Sequence, residues 1–289
     1  MAGLRICLFG RFHAQFGEPV LSDLCPPKLQ ELFSYLLLDR DHALPRETVA
    51  GLLWGGSSTA RSKKNLRQAL WQLQAAIDSG CKAANCRVLL VDPDRIRLNP
   101  DADLWLDVAV FERACSHTEG TAGQALDSAQ VQALCEAVDL YRGDLLEGWF
   151  QDWCLYERER LQNLYLLILD KLMEHCEACE HYEAGLAYGA RILRCDGARE
   201  RTHRRLMRLH YLAGDRTAAL RQYDRCVQAL RRELAVRPAA RTVALYEQLR
   251  SERLSRSPPL STPSAPASAQ LCEMVDSLKR MQETLDELG

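Results

Sequence analysis

The stretch SSTARSKKNLRQALWQLQAAID, residues 57–78, decides how the first third of this 289-residue chain is read. Leu66, Ala69, Leu70, Leu73 and Ile77 recur at helical spacing and form one apolar stripe. At 100° per residue, Arg61, Lys64, Gln68, Trp71 and Gln72 fall on the opposite side, with Asn65 and Arg67 on its flanks. Ser57, Ser58 or Thr59 can cap the N-terminus, so the spacing predicts a helix ending near Asp78. Arg61, Lys63, Lys64 and Arg67 face one acid, Asp78, within it. Asn, Gln, Arg and Lys match the donors and acceptors of base edges in the major groove, and Lys and Arg hold phosphates. The face therefore points to double-stranded DNA. The competing reading is an ordinary solvated basic face.

Working outward, Leu4, Ile6 and Leu8 alternate with Arg5, Cys7 and Phe9, Gly10 turns, and residues 12–16 follow as a second strand. Pro26-Pro27 starts a helix with Leu29, Leu32, Phe33, Leu36 and Leu37 at helical spacing. Pro45 opens a second carrying Val49, Leu52 and Leu53, stopped near Gly55-Gly56. After the third helix, residues 88–91 and 95–98 flank Asp92-Pro93-Asp94 as a hairpin. That order assigns residues 1–100 to a winged-helix DNA-binding domain with a small β-sheet and a wing. Arg95 and Arg97 stand where a wing reaches the backbone or minor groove, unless they are charges that block strand pairing.

From Asp103 to about Leu254 the pattern is helical, with Pro238 the one proline. Sliding the chain by 34 residues superposes Leu172 on Leu206, Met173 on Met207, Ala184 on Ala218, Leu186 on Leu220 and Arg191 on Arg225. That period belongs to tetratricopeptide-type helix pairs, which bury their apolar faces by stacking into a solenoid. Residues 101–256 thus read as an all-α domain. Its Arg201, Arg204, Arg205 and Arg208 suit a small anionic effector, DNA phosphates or the acidic segment before them. Residues 257–268 are a proline/serine linker. Beyond it, in 269–289, Leu271, Met274, Leu278, Met281, Leu285 and Leu288 form the seam of an amphipathic helix. Such a short helix is marginal alone, so it is expected to pair in a homodimer or dock on a groove. The fold class is mainly α: winged helix, tetratricopeptide-like solenoid, terminal amphipathic helix.

The composition, 47% hydrophobic and 26% charged, is that of an ordinary globular protein. The net charge of −2 hides a segmented pattern: 13 basic and 9 acidic residues in 1–100, 7 and 18 in 101–195, 15 and 7 in 196–256. Different parts are expected to meet different partners. Neither a signal peptide nor a membrane span is read in the sequence, so a cytoplasmic protein without a membrane partner is expected. The 12 cysteines lie mostly in apolar periodic segments, where they read as small hydrophobes. Cys176-Glu177-Ala178-Cys179 is the one CxxC; without a second such pair it does not make a metal site. No metal, cofactor or catalytic residue is expected. The seven histidines show no HExxH spacing, and phosphate-binding glycine loops and nucleophile elbows are missing.

Several blocks carry a resemblance: Leu52-Leu53-Trp54, the NLRQAL of residues 65–70, the YRGDLLEG of 141–148, the ERERL of 157–161, and above all THRRLMRLH (202–210) with GDRTAALRQY (214–223). On these, residues 1–100 resemble an OmpR-type winged helix. Residues 103–250 resemble the bacterial transcriptional activator domain of SARP-type regulators. The resemblance implies reading of direct DNA repeats near a promoter, and a helical domain for dimerisation, effector response or contact with RNA polymerase. One departure is Trp71-Gln72-Leu73-Gln74, where many relatives have Ser-Arg-Leu-Arg; two fewer arginines imply a lower salt slope. The expected function is a sequence-specific DNA-binding regulator, an activator. The alternative is a tetratricopeptide-type adaptor that does not bind DNA.

Overall fold

The opening alternation becomes β1 (Leu4–Cys7) and β2 (His13–Phe16), paired antiparallel with Leu4 opposite Phe16 and Cys7 opposite His13. The other edge of β1 takes a strand that periodicity did not announce, β6 (Leu104–Leu106), in parallel. Helical pattern was expected from Asp103 onward; three residues are too short to show a period, and an open strand edge decides instead. The order of this sheet is β2-β1-β6. These positions belong to a computed structural model, which describes residues 3–16, 26–80 and 87–251. The linker of 257–268 and the seam from Leu271 to Leu288 lie outside them.

Between β2 and β6 runs the winged helix: α1 (Pro27–Leu38), β3 (Leu44–Pro45), α2 (Arg46–Trp54), α3 (Thr59–Gly80), β4 (Leu89–Val91) and β5 (Arg95–Leu98). Proline at the first position of α1 gives up an N–H that has no helical partner anyway. The stripe Leu29, Leu32, Phe33, Leu36 and Leu37 is buried as its spacing predicts, and so are Leu66, Ala69, Leu70, Leu73 and Ile77 of α3. On α2 the buried set is Val49, Ala50 and Leu53, and Leu52 is 46% exposed. The sequence groups Leu52 with Val49 and Leu53, but it lies across Val49 from Ala50 and Leu53, off the stripe. The wing hairpin pairs Leu89 with Leu98 and Val91 with Ile96, and β3 completes a sheet of order β3-β5-β4.

The rest is helical: α4 (Asp107–His117), α5 (Ser128–Leu140), α6 (Asp152–Ala178), α7 (Tyr182–Cys195), α8 (Glu200–Leu212), α9 (Arg216–Leu234) and α10 (Ala240–Arg250). The 34-residue shift carries α6 onto α8 and α7 onto α9; Leu172, Met173, Leu206 and Met207 are all buried. No helix of the described residues is long and apolar enough to cross a membrane.

Contacts divide the chain into two compact units, residues 1–202 and 203–289. In the first, Asp107 fastens the end of β1 to α4. Its buried carboxylate accepts from the backbone N–H of Leu8 (2.9 and 2.8 Å), Phe9 (3.0 Å) and Val108 (2.7 Å). Burial nevertheless raises its pKa, the N–H donors opposing. The YRGDLLEG block is structural too. The amides of Leu146 and Glu147 donate to the Leu8 and Gly10 carbonyls, and Gly10 N donates to Asp144 O. Arg158, from the ERERL block, then donates to the carbonyls of Leu145, Leu146 and Trp149, each at 2.9 Å. Tyr141 stacks on Tyr165 at 4.0 Å and packs against Phe9 at 4.8 Å.

In the second unit, Gly214 turns at φ 85° and Asp215 caps α9 by accepting from Ala218 N at 2.8 Å. Met207, Ala219 and Leu249 form its core, with Leu220 and the stacked Tyr223 and Tyr246 packed against it. Arg216 donates to the last carbonyls of α10, Leu249 O at 3.0 Å and Arg250 O at 2.6 Å.

Candidate nucleic-acid interface

Helix α3 packs against α1 and α2 through its apolar stripe, which leaves the other face outward. Its first turn is pinned by Ser62, a buried residue whose hydroxyl donates to Trp54 O at 2.9 Å and Ser58 O at 3.2 Å. The turn from α2 into α3 is tight: a Cβ at Gly55 would lie 2.6 Å from Gly51 O, so only glycine fits there.

Arg61, Lys64, Arg67, Gln68, Trp71 and Gln72 are all exposed, and Asn65 is half-buried. Arg61, Lys64 and Arg67 have no acidic partner among the described residues. Lys63, also exposed, is different: its ammonium lies 2.5 Å from Glu47 Oε1 of α2 and holds that carboxyl below the usual range. Trp71 is 71% exposed, unusual for so large an apolar group, and stands one turn beyond Gln68 among polar neighbours.

The wing is tied back to α2 by a residue that sequence reading passed over. Arg46 N donates to Asp94 O at 2.9 Å, and its guanidinium to Asp92 O at 3.1 Å. Only its position beside β3 marks it, and that strand is two residues long. Of the two wing arginines, Arg95 donates to Ala43 O at 3.3 Å, and Arg97 is exposed with no ion-pair partner among the described residues. The structure thus displays Arg61, Lys64, Arg67, Gln68, Trp71 and Gln72 on one face of α3. Lys63 and Arg95 are engaged locally.

The arginines of α8 are placed otherwise. Arg201 pairs with Glu174 at 3.1 Å, and Arg204 donates to the Thr242 hydroxyl at 2.9 Å. Arg205 is half-buried and Arg208 exposed, and both have interaction partners. The buried His203 accepts at Nδ1 from the Gln222 side-chain NH2 at 2.8 Å. In the CxxC pair Cys176 is buried and Cys179 exposed, the latter 3.6 Å from His175 Nε2.

Chemically, the α3 face offers cations for phosphates, amides for base edges and an indole for apolar or stacking contact. Comparison with known proteins supplies the context. The family model described as the bacterial transcriptional activator domain matches residues 106–250. No curated protein matches the chain. Among solved structures, Mycobacterium tuberculosis EmbR in complex with a low-affinity phosphopeptide is similar in fold, with a TM-score of 0.66 and 18% identity, covering 96% of this chain and 72% of that one.

Proposed function

The chain belongs to the bacterial transcriptional activator domain family, among SARP-type regulators, and from that premise we propose that it is a sequence-specific DNA-binding activator of transcription. The observation that carries the reading is the outward face of α3, where Arg61, Lys64 and Arg67 stand exposed and unneutralised beside Gln68 and Gln72. On this reading Lys64, Asn65, Gln68 and Gln72 meet base edges and Arg61 and Arg67 meet phosphates, with Lys63 joining them only where it leaves Glu47. Trp71 covers a sugar or a thymine methyl, and Arg97, with Arg95, extends the contact from the wing. Residues 1–100 bind DNA and 101–256 respond to an effector or contact RNA polymerase. The protein acts as a homodimer whose 269–289 seam brings two winged helices to a direct repeat, raising the local concentration of the second.

The test is a pull-down of genomic fragments by the intact protein, with sequencing of what is retained and a mobility-shift titration on the enriched duplex. A shared repeated motif, bound at least about a thousandfold more tightly than unrelated duplex, is expected. Enrichment of no common sequence contradicts the reading and leaves the adaptor reading in its place.

A further inference from the structure

Between the later turns of α1 and the first turns of α6, inside one compact unit, lies a cleft of about 430 Å3. That is within the ~300–1,000 Å3 typical of small-ligand sites. Tyr35 and Asp39 from the α1 side and Trp153, Tyr156, Glu157 and Arg160 from α6 line it. Three aromatic rings with a few polar groups is the lining expected of a ligand pocket and not of a packing defect.

The charges select the ligand. Arg160 is charge-paired: it donates to Glu157 at 2.8 Å and to Glu112 at 2.5 Å, and Glu112 also receives Arg40 at 2.6 Å. Those two cations and two carboxylates cancel. Asp39 stands outside that network, with the exposed His42 at 2.7 Å, and leaves the lining acidic by one carboxylate. Burial and then the Asp39 charge push the Tyr35 phenol up, so it stays a neutral O–H. Tyr35 and Trp153 meet edge to face at 5.4 Å and 74°, and Tyr156 is 71% exposed. Aromatic faces beside a carboxylate attract ammonium groups.

Three polar atoms of α1 and the start of α6 remain unmet among the described residues. The indole N–H of Trp153 is buried and has no acceptor among the described residues, and Ser34 Oγ on α1 and Gln151 Oε1 at the start of α6 are likewise without partners there. Buried donors are seldom left so.

We propose that the α1–α6 cleft is a binding site for a small organic cation: a protonated amine on a flat aromatic body. The amine lies against Asp39 and the ring faces of Tyr35 and Tyr156. Helix α1 also packs on α3. Binding itself does not depend on the DNA reading.

Phenylalanine amide is the probe and N-acetylphenylalanine, of similar size and opposite charge, the control. Indole N–H resonances of the intact protein are followed by NMR, with Trp153 assigned from Trp153→Phe. The amide is expected to shift the Trp153 signal saturably, with a Kd on the order of millimolar for so small a probe. The acetylated anion is expected to do so at least tenfold less well. Tyr156→Ala and Asp39→Asn, both surface changes checked by melting, weaken the amide about threefold or more each. Equal response to the two probes, no saturable shift up to roughly ten times that concentration, or undiminished affinity in both variants overturns the proposal. A protein that fails to bind DNA yet gives the expected shifts leaves this site standing.

Discussion

Helices α3 and α8 each carry four basic residues and one acid, and their cations keep different company. On α3, Arg61, Lys64 and Arg67 face outward with no acid opposite them among the described residues, and Lys63 alone is spent on Glu47. On α8 and the turn before it, Arg199 pairs with the buried Asp170 at 2.6 Å and Arg201 with Glu174, and Arg204 is hydrogen-bonded to the Thr242 hydroxyl. Positive charge attracts a polyanion through the counterions it releases, and a cation already neutralised within the protein releases few. The difference teaches that the number of basic residues does not mark a binding face; their pairing does. Residues 196–256 are the more basic segment by count, and α3 is the better candidate.

That comparison can be broken first where the effect is largest. Replacing Lys64 and Gln68 together with Ala is expected to weaken specific DNA binding about a hundredfold or more, since each base contact is worth roughly 1–3 kcal/mol. The melting temperature should not move, because both side chains are exposed. Mobility-shift titration beside a thermal melt measures both quantities. Arg204→Ala on α8 should do the reverse. Loss of its bond to the buried Thr242 costs about 1–2 kcal/mol of stability with DNA affinity unchanged, as denaturant titration and the same shift assay would show.

A smaller effect belongs to the phosphate contacts. Arg67→Ala is expected to weaken specific and non-specific duplexes alike, several-fold, and to lower the slope of log K against log salt by about one. Arg201→Ala should leave that slope alone. The smallest concerns Glu47. Its pKa is depressed by Lys63, so the contact is present above the ordinary carboxylate range and is lost as pH falls through the lowered value. Glu47→Gln frees Lys63 for DNA and is expected to tighten binding by about twofold at neutral pH, the order of an exposed ion pair. Acidification through that lowered value should narrow the difference between wild type and variant, which a titration at two pH values detects.

Much of the fold is legible in the sequence, and the unread part has a physical pattern. The stripes of α1 and α3 were legible because one buried face at a 3.6-residue period leaves its mark on every turn. The wing was legible from Asp92-Pro93-Asp94 between two apolar runs. Strands β3 and β6, of two and three residues, are too short for any period, and only a partner edge makes them strands. The carboxylate of Asp107 serves amides 98 and 99 residues away. The same distance problem hides the pairing of the arginines, since Glu174 and Thr242 lie 27 and 38 residues from their partners. Residue types on α3 were therefore readable as candidates, whereas their freedom from neutralisation was not. The blocks around Arg158 and Asp215, quoted for their resemblance, act as braces of loops and helix ends.

The central claim is that side chains on the outer face of α3 read bases, and the most direct measurement couples one of them to the DNA. A bound half-site is scanned by single base-pair changes, with affinity measured for the wild type and for Gln68→Ala in parallel. The account predicts one position at which the wild type loses about 1–3 kcal/mol and Gln68→Ala loses almost nothing further, because the contact is already gone. An identical loss profile for both proteins at every position of the half-site would contradict it.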